Sequence, residues 1–384
     1  MWESAPPFAA DAGPQEQVVV GIPFATTADW RVVTDDGASV DGPPITTAPV
    51  PEGMPIADVV VSDPSAWDPA DRYLLSSIDK RPGGWVGGTY WTFIVDRQAR
   101  IVWAHAAPQH HWTLFPQVSQ AGNSLLWDEA TYWSSFDEGA ASQVHETYLD
   151  GEIRTIATPG LHHAFLQIPD GSIVWGTHAY GGGEALAELG PDDTDPRVVW
   201  SCRDDWPGAG DCESNGLFYR ESTDSFLYSF YTNDAIVEVD HATGASLWWA
   251  GGVPDGFAFD PPETQYAWQH GISYTPQGTL LVSSHYEPEG ASEPETWLLE
   301  YAVDADAEAL HYVWGSSAGG DYASYNGGAQ RLANGDTLHL VGDSGVAREV
   351  DPNGNDVWRI DFHDRMLGNG EFIDDLYALV KPRN

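Results

Sequence analysis

Three features of the 384-residue chain predict an all-β fold, a six-bladed β-propeller with a small N-terminal β-sandwich-like domain. A turn carrying Gly or Asp followed by an apolar strand recurs as "AGNSLLW", "PDGSIVWG", "STDSFLYSF", "PQGTLLVSS" and "ANGDTLHLV". With Gly122, Gly171, Asp224, Gly278 and Gly335 as markers, the steps are 49, 53, 54 and 57 residues. The third feature is a strand ending near tryptophan, at Trp103, Trp200, Trp249, Trp314 and Trp358. The interval of 97 residues from Trp103 to Trp200 is about two repeats, and "DGEIRTI" fills the middle position without its tryptophan.

The elements follow in order. Residues 1–16, "MWESAPPFAADAGPQE", are polar and rich in Pro and Ala, which predicts a flexible tether with no signal peptide in view. Residues 17–64 alternate in short runs and predict the small β-rich domain. Residues 65–384 hold the six repeats, punctuated by many of the chain's 40 Gly and 27 Pro, with no amphipathic helix of useful length. Closure is expected from the last apolar run, "LYALVK", beside the first blade.

With 16 Lys and Arg against 58 Asp and Glu, the formal charge is −42. Such a surface repels phosphate backbones and anionic lipid, so neither nucleic acid nor membrane is an expected partner. No apolar run of about 18 residues predicts a membrane span. The same charge suits a saline habitat, where screening relieves self-repulsion. Cys202 and Cys212, the only two cysteines, bracket a Gly/Pro-containing loop and predict a disulfide formed outside the cytoplasm. The sequence says nothing of the oligomeric state.

Counting back from each marker gives the residue that opens the innermost strand. His163 and His270 both lie 8 positions before their markers; Asn215 lies 9 before, and His111 lies 11 before. Innermost strands line the propeller axis, so these positions converge in space. His110 and His162 adjoin, but neighbours on a strand point to opposite faces. His178 and His285 follow the second strands and are expected on loops or the surface. No metal site is expected: the cysteine loop lacks histidine, and no metalloprotease motif, phosphate loop or nucleophile elbow is present.

Five segments in order, "LHHAFLQIPDGSIVWG", "ESNGLFYRESTDSFLYSFYTNDAIVEVDHATGASLWWAGG", "WQHGISYTPQGTLLVSS", "WLLEYAVDADAEALHYVWG" and "GGAQRLANGDTLHLVGDSGVAREVDPNGNDVW", resemble the bacterial arylsulfotransferases over about residues 85–380. These exported enzymes transfer sulfuryl groups between phenols without a nucleotide cofactor. The resemblance implies a six-bladed propeller, no cofactor, an extracytoplasmic location, and an aryl sulfate ester and a phenolic acceptor as partners. His270 in "WQHG" matches the histidine that becomes a sulfohistidine, and His162 or His163 matches the "HH" segment, with Ala164 where an acid is usual. Two places depart from the family: Glu213 stands where a histidine is usual and Tyr231 where an arginine is usual. Under this reading His270, His163, His162, Tyr231 and Glu213 carry catalysis, and Asn215, His111 and Trp268 contact substrate. Losing the arginine removes a fixed charge that would face the sulfuryl oxygens. Two other readings follow from those departures: a non-catalytic binding or structural propeller, and a polysaccharide lyase using histidine and tyrosine as base and acid.

Overall fold

The computed structural model describes residues 17–79, 90–109, 111–131, 141–151, 153–180, 183–206, 208–286 and 294–381, together with Ala5 and Pro7. Apart from those two residues, the expected tether at 1–16 lies outside the described residues, as does His110. Six sheets, antiparallel except for one parallel edge strand, Ala258–Asp260 beside Ala309–Ser317, form a six-bladed β-propeller. We number the blades from the one holding Tyr73–Asp79, Tyr90–Asp96 and Ile101–Ala106. Blade II is built on Gln117–Val118, Leu125–Thr131, Ser142–Thr147 and Ile153–Ala157. Blade III runs from Leu161 to Ser201, IV from Ser214 to Ala250, V from Ala267 to Ser317 and VI from Gly328 to Asp361.

The ring closes through Leu367–Ile373, which pairs with Tyr73–Asp79 as the innermost strand of blade I. The expected closing run behaves otherwise: Leu376–Leu379 is a single 3-10 turn, started by Asp375, whose carboxylate accepts from Tyr377 N at 2.8 Å. Spacing of three puts Leu376 and Leu379 on one side of that turn, packed with Tyr73, Leu75, Ile94 and Leu125.

Residues ahead of the propeller form two short ladders, Thr27–Ala28 with Ile45–Thr46 and Arg31–Val33 with Ser39–Asp41. Asp58–Ser62 adds a fifth strand to the outer edge of blade VI, antiparallel to Asp356–Asp361. The periodic tryptophans all fall on the fourth strands of their blades. Three of their indole N–H groups reach the next blade: Trp200 to Ser246, Trp314 to the Pro352 carbonyl and Trp358 to the Arg97 carbonyl. Each such bond satisfies a donor that would otherwise be left without water as blades pack.

Cys202 and Cys212 are joined in a disulfide, with Cα atoms 6.4 Å apart. No helix among the described residues is long and apolar enough to cross a membrane.

Candidate functional site

The first strands of blades III, IV and V begin irregularly, and this irregularity builds the site. Their ladders shift register between Leu161 and Phe165, between Ser214 and Gly216, and between Ala267 and Ile272. His163 (φ 54°) and Trp268 (φ 46°) adopt left-handed backbone, which costs a side-chain-bearing residue on the order of 1–3 kcal/mol. Gly271 (φ 70°) is required, because a Cβ there would lie 2.5 Å from Gly328 Cα on the neighbouring inner strand. A bulge of this kind re-aims side chains, so strict alternation fails. Consequently His162 and His163, expected to face opposite ways, bring their Nδ1 atoms within 3.0 Å.

One chain of contacts links most of the residues singled out in sequence. The Tyr231 hydroxyl donates to Glu213 Oε2, and the Tyr231 ring centroid lies 6.0 Å from His163 and 6.2 Å from Trp268. His270 follows Trp268 and donates from Nδ1 to its carbonyl at 3.0 Å. Because a carbonyl can only accept, that bond assigns the His270 proton to Nδ1 and leaves Nε2 with a free lone pair. Burial drives the His270 pKa down to about 4, with the Trp268 carbonyl opposing it weakly. His163 is held well below the ordinary histidine range by burial and by the neighbouring His162 and His270.

Two expected residues sit beside this chain. Asn215 is buried; its Nδ2 donates to the Gln269 carbonyl at 2.7 Å and its Oδ1 accepts from Ser229 at 2.9 Å. It therefore clasps the backbone one residue ahead of His270. His111 stands at the rim, 2.6 Å from Glu129, and it is Trp112 that contacts His163, at 5.6 Å between centroids.

Three groups, His285, His178 and Glu184, complete the site without having been read from sequence as site residues. His285 was expected on a loop or the surface; it is buried, stacks on His270 at 5.4 Å and is driven down to about 3 by burial and by that neighbour. His178, placed with it, bonds Glu184 at 2.9 Å. Glu184 is fully buried: His162 Nε2 lies 2.9 Å from its Oε2, while Ser214 Oγ and the Tyr228 hydroxyl donate to Oε1. Burial works to raise its pKa, but His162 and His178 outweigh burial and hold the carboxyl far below its usual range. Both missed histidines lie 15 positions after the first-strand histidine of their own blade, a repeated spacing visible in the chain. Among the described residues, His162, His178 and Glu184 also form a group able to hold a cation. A groove between blades II and III, lined by Arg154, Gln167, Leu189 and Asp193, contains none of these groups.

No protein-family model matches the chain, and no curated protein does either. Among solved structures, a protein of unknown function from Bacteroides caccae is similar, at 13% identity and TM-score 0.50, covering 76% of this chain and 93% of that one. TolB from Acinetobacter baumannii is similar at 11% identity and TM-score 0.48, over 79% of this chain and 65% of that one. The Swd1 β-propeller domain of Myceliophteria thermophila is similar at 13% identity and TM-score 0.46, over 80% and 87%. At such identities the likeness is one of fold, and function must be argued from the site.

Proposed function

We propose that this propeller is an extracytoplasmic sulfuryl transferase that moves the group from an aryl sulfate ester to a phenol through His270. The observation that carries the reading is the His270 imidazole: neutral by burial, with its proton on Nδ1 and the Nε2 lone pair available. A nucleophilic imidazole needs that protonation state.

In the first half-reaction the Nε2 lone pair forms a bond to sulfur. The bond from sulfur to the aryl oxygen breaks, and the aryl oxide leaves and takes a proton from solvent. In the second, the acceptor's oxygen attacks sulfur, the N–S bond breaks and His270 is regenerated neutral. The acceptor's phenolic proton passes to the Glu213 carboxylate and from there to water. Tyr231 is a poor acid here, its pKa raised by burial and by Glu213, so it serves as a hydrogen-bond partner that steers Glu213. His163, beside Tyr231, would donate to the sulfuryl oxygens when its proton is on Nε2. The rings of Tyr231, Trp268 and Tyr322, all partly exposed, offer stacking faces for aryl groups. The Cys202–Cys212 disulfide supports the location outside the cytoplasm.

Incubation with 4-nitrophenyl sulfate and a phenolic acceptor tests the reading. Nitrophenol release should depend on His270 and fall by at least about a thousandfold in His270→Ala. Release that survives this substitution overturns it. A second reading, β-elimination on a uronic-acid sugar, draws on the pairing of His163 with Tyr231. It predicts an ultraviolet-absorbing unsaturated product from such sugars, independent of any sulfate ester.

A further inference from the structure

We propose that His162 Nε2, His178 Nε2 and a Glu184 carboxylate oxygen form a binding site for one divalent transition-metal ion. The three ligand atoms lie within 4.8 Å of one another, and Glu184 Oε2 is 2.9 Å from each imidazole nitrogen. Metal bonds of about 2.0–2.2 Å to nitrogen and carboxylate oxygen close that spread with small side-chain shifts. Two imidazoles and one carboxylate select zinc, cobalt, nickel or iron over calcium and magnesium, which take oxygen ligands.

The surroundings are those of a supported ligand set. Glu184 Oε1 is fixed by Ser214 Oγ at 3.0 Å and by the Tyr228 hydroxyl, which leaves Oε2 directed at the histidines. Gly176 makes this support possible, since a Cβ there would meet the Tyr228 hydroxyl at 2.5 Å and Ser214 Oγ at 2.7 Å. His162 and Glu184 side chains are 0% exposed, while His178 is 20% exposed, so the ion's remaining position opens on the His178 side. His162 lies on the first strand of the blade, while His178 directly follows the second strand, Ile173–Thr177, and Glu184 directly precedes the third, Ala185–Leu189. One hairpin end and the strand beside it thus supply all three ligands.

The ion would set the proton positions next to it, a consequence that rests on the sulfuryl-transfer reading. A metal on His162 Nε2 leaves the His162 proton on Nδ1, which then donates to His163 Nδ1 at 3.0 Å. The His163 proton is thereby placed on Nε2, the form able to donate to a sulfuryl oxygen. With a proton instead of a metal on His162 Nε2, the direction reverses and His163 Nε2 is bare. The ion thus makes His163 a donor.

The test needs no sulfate ester, so its failure is separate from failure of the sulfuryl-transfer reading. Purified full-length protein is stripped with a chelator, dialysed and titrated with Co2+, following visible absorption and bound metal. One equivalent should give d–d bands, displaced by Zn2+. His178→Ala, a partly exposed change that spares the buried Glu184 contacts, should lose the bands and weaken that site at least tenfold. His311→Ala, which removes an exposed imidazole beside Asp260 and Asp304, should keep them. Absence of the bands, or their retention in His178→Ala, overturns the proposal and leaves the three groups as a hydrogen-bonded cluster.

Discussion

Blades III and V present the same histidine pair in opposite electrostatic settings. In each, one imidazole lies near the start of the first strand and another at the end of the second. His163 goes with His178, which directly follows Ile173–Thr177, and His270 with His285, the penultimate residue of Leu280–Tyr286. The difference lies at the start of the third strand. His178 faces Glu184, whereas the residue paired with His285 is Thr296, whose hydroxyl is occupied by Ala323 N. Burial lowers all of these imidazoles, and in blade III the carboxylate outweighs it at His178, which is raised. Blade V lacks that compensation, so His270 and His285 stay neutral, at about 4 and about 3. A single side chain per blade separates a raised second histidine, His178, from a lowered one, His285, while His163 and His270 are lowered alike.

The largest effect is expected from breaking blade III. Glu184→Thr copies the blade V residue into a cavity that leaves His162, His178, Ser214 and Tyr228 without their shared acceptor. In chelator-treated protein this should cost about 3–5 kcal/mol, read as a lower urea midpoint. A loss under about 1 kcal/mol would mean the carboxylate is incidental. The reciprocal change, Thr296→Glu, gives blade V the missing acid. Histidine titration by NMR should then show His285 rising by about 1–3 pH units from its depressed value. An unmoved His285 would show that burial alone governs the pair.

The smallest effect is the pH dependence of the unmodified protein. His270 and His285 bind protons more weakly folded than unfolded, so the unfolded chain takes up protons first as pH falls. Their contribution to stability is therefore fully present above about 6.5, the unfolded value, and is lost as pH drops towards 4 and then 3. The difference in melting temperature between wild type and His285→Gln should narrow over that interval. A gap that widens on acidification would contradict the assignment of a neutral pair.

Much of the ring was legible because each blade repeats its own turn. The closing strand was not. Leu367–Ile373 reads as a loop, "LGNGEFI", since its glycines answer close approach: a Cβ on Gly368 would lie 2.1 Å from Ser77 Oγ, and one on Gly370 2.2 Å from the Leu75 carbonyl. By contrast the apolar run after it folds as a turn, because Asp375 caps it and its two leucines share one face. His163 and His270 were found from their common offset to the turn marker. Glu184 has no such offset, and its significance comes from pairing across strands that local sequence does not display. His178 and His285 carried a usable signal in their equal spacing, but a position after a strand reads as exposed until the hairpin folds it back onto the first strand.

The central claim is that His270 becomes covalently sulfonated. Wild-type protein mixed briefly with an activated aryl sulfate, without acceptor, is quenched at alkaline pH, digested and examined by mass spectrometry. One SO3 mass should appear on the peptide containing His270 and disappear on mild acid treatment, since protonating the ring's other nitrogen makes imidazole a good leaving group. It should disappear also on addition of a phenol, with the sulfate recovered on that phenol. An unmodified His270 peptide across several donors, at low and high salt, would contradict the account.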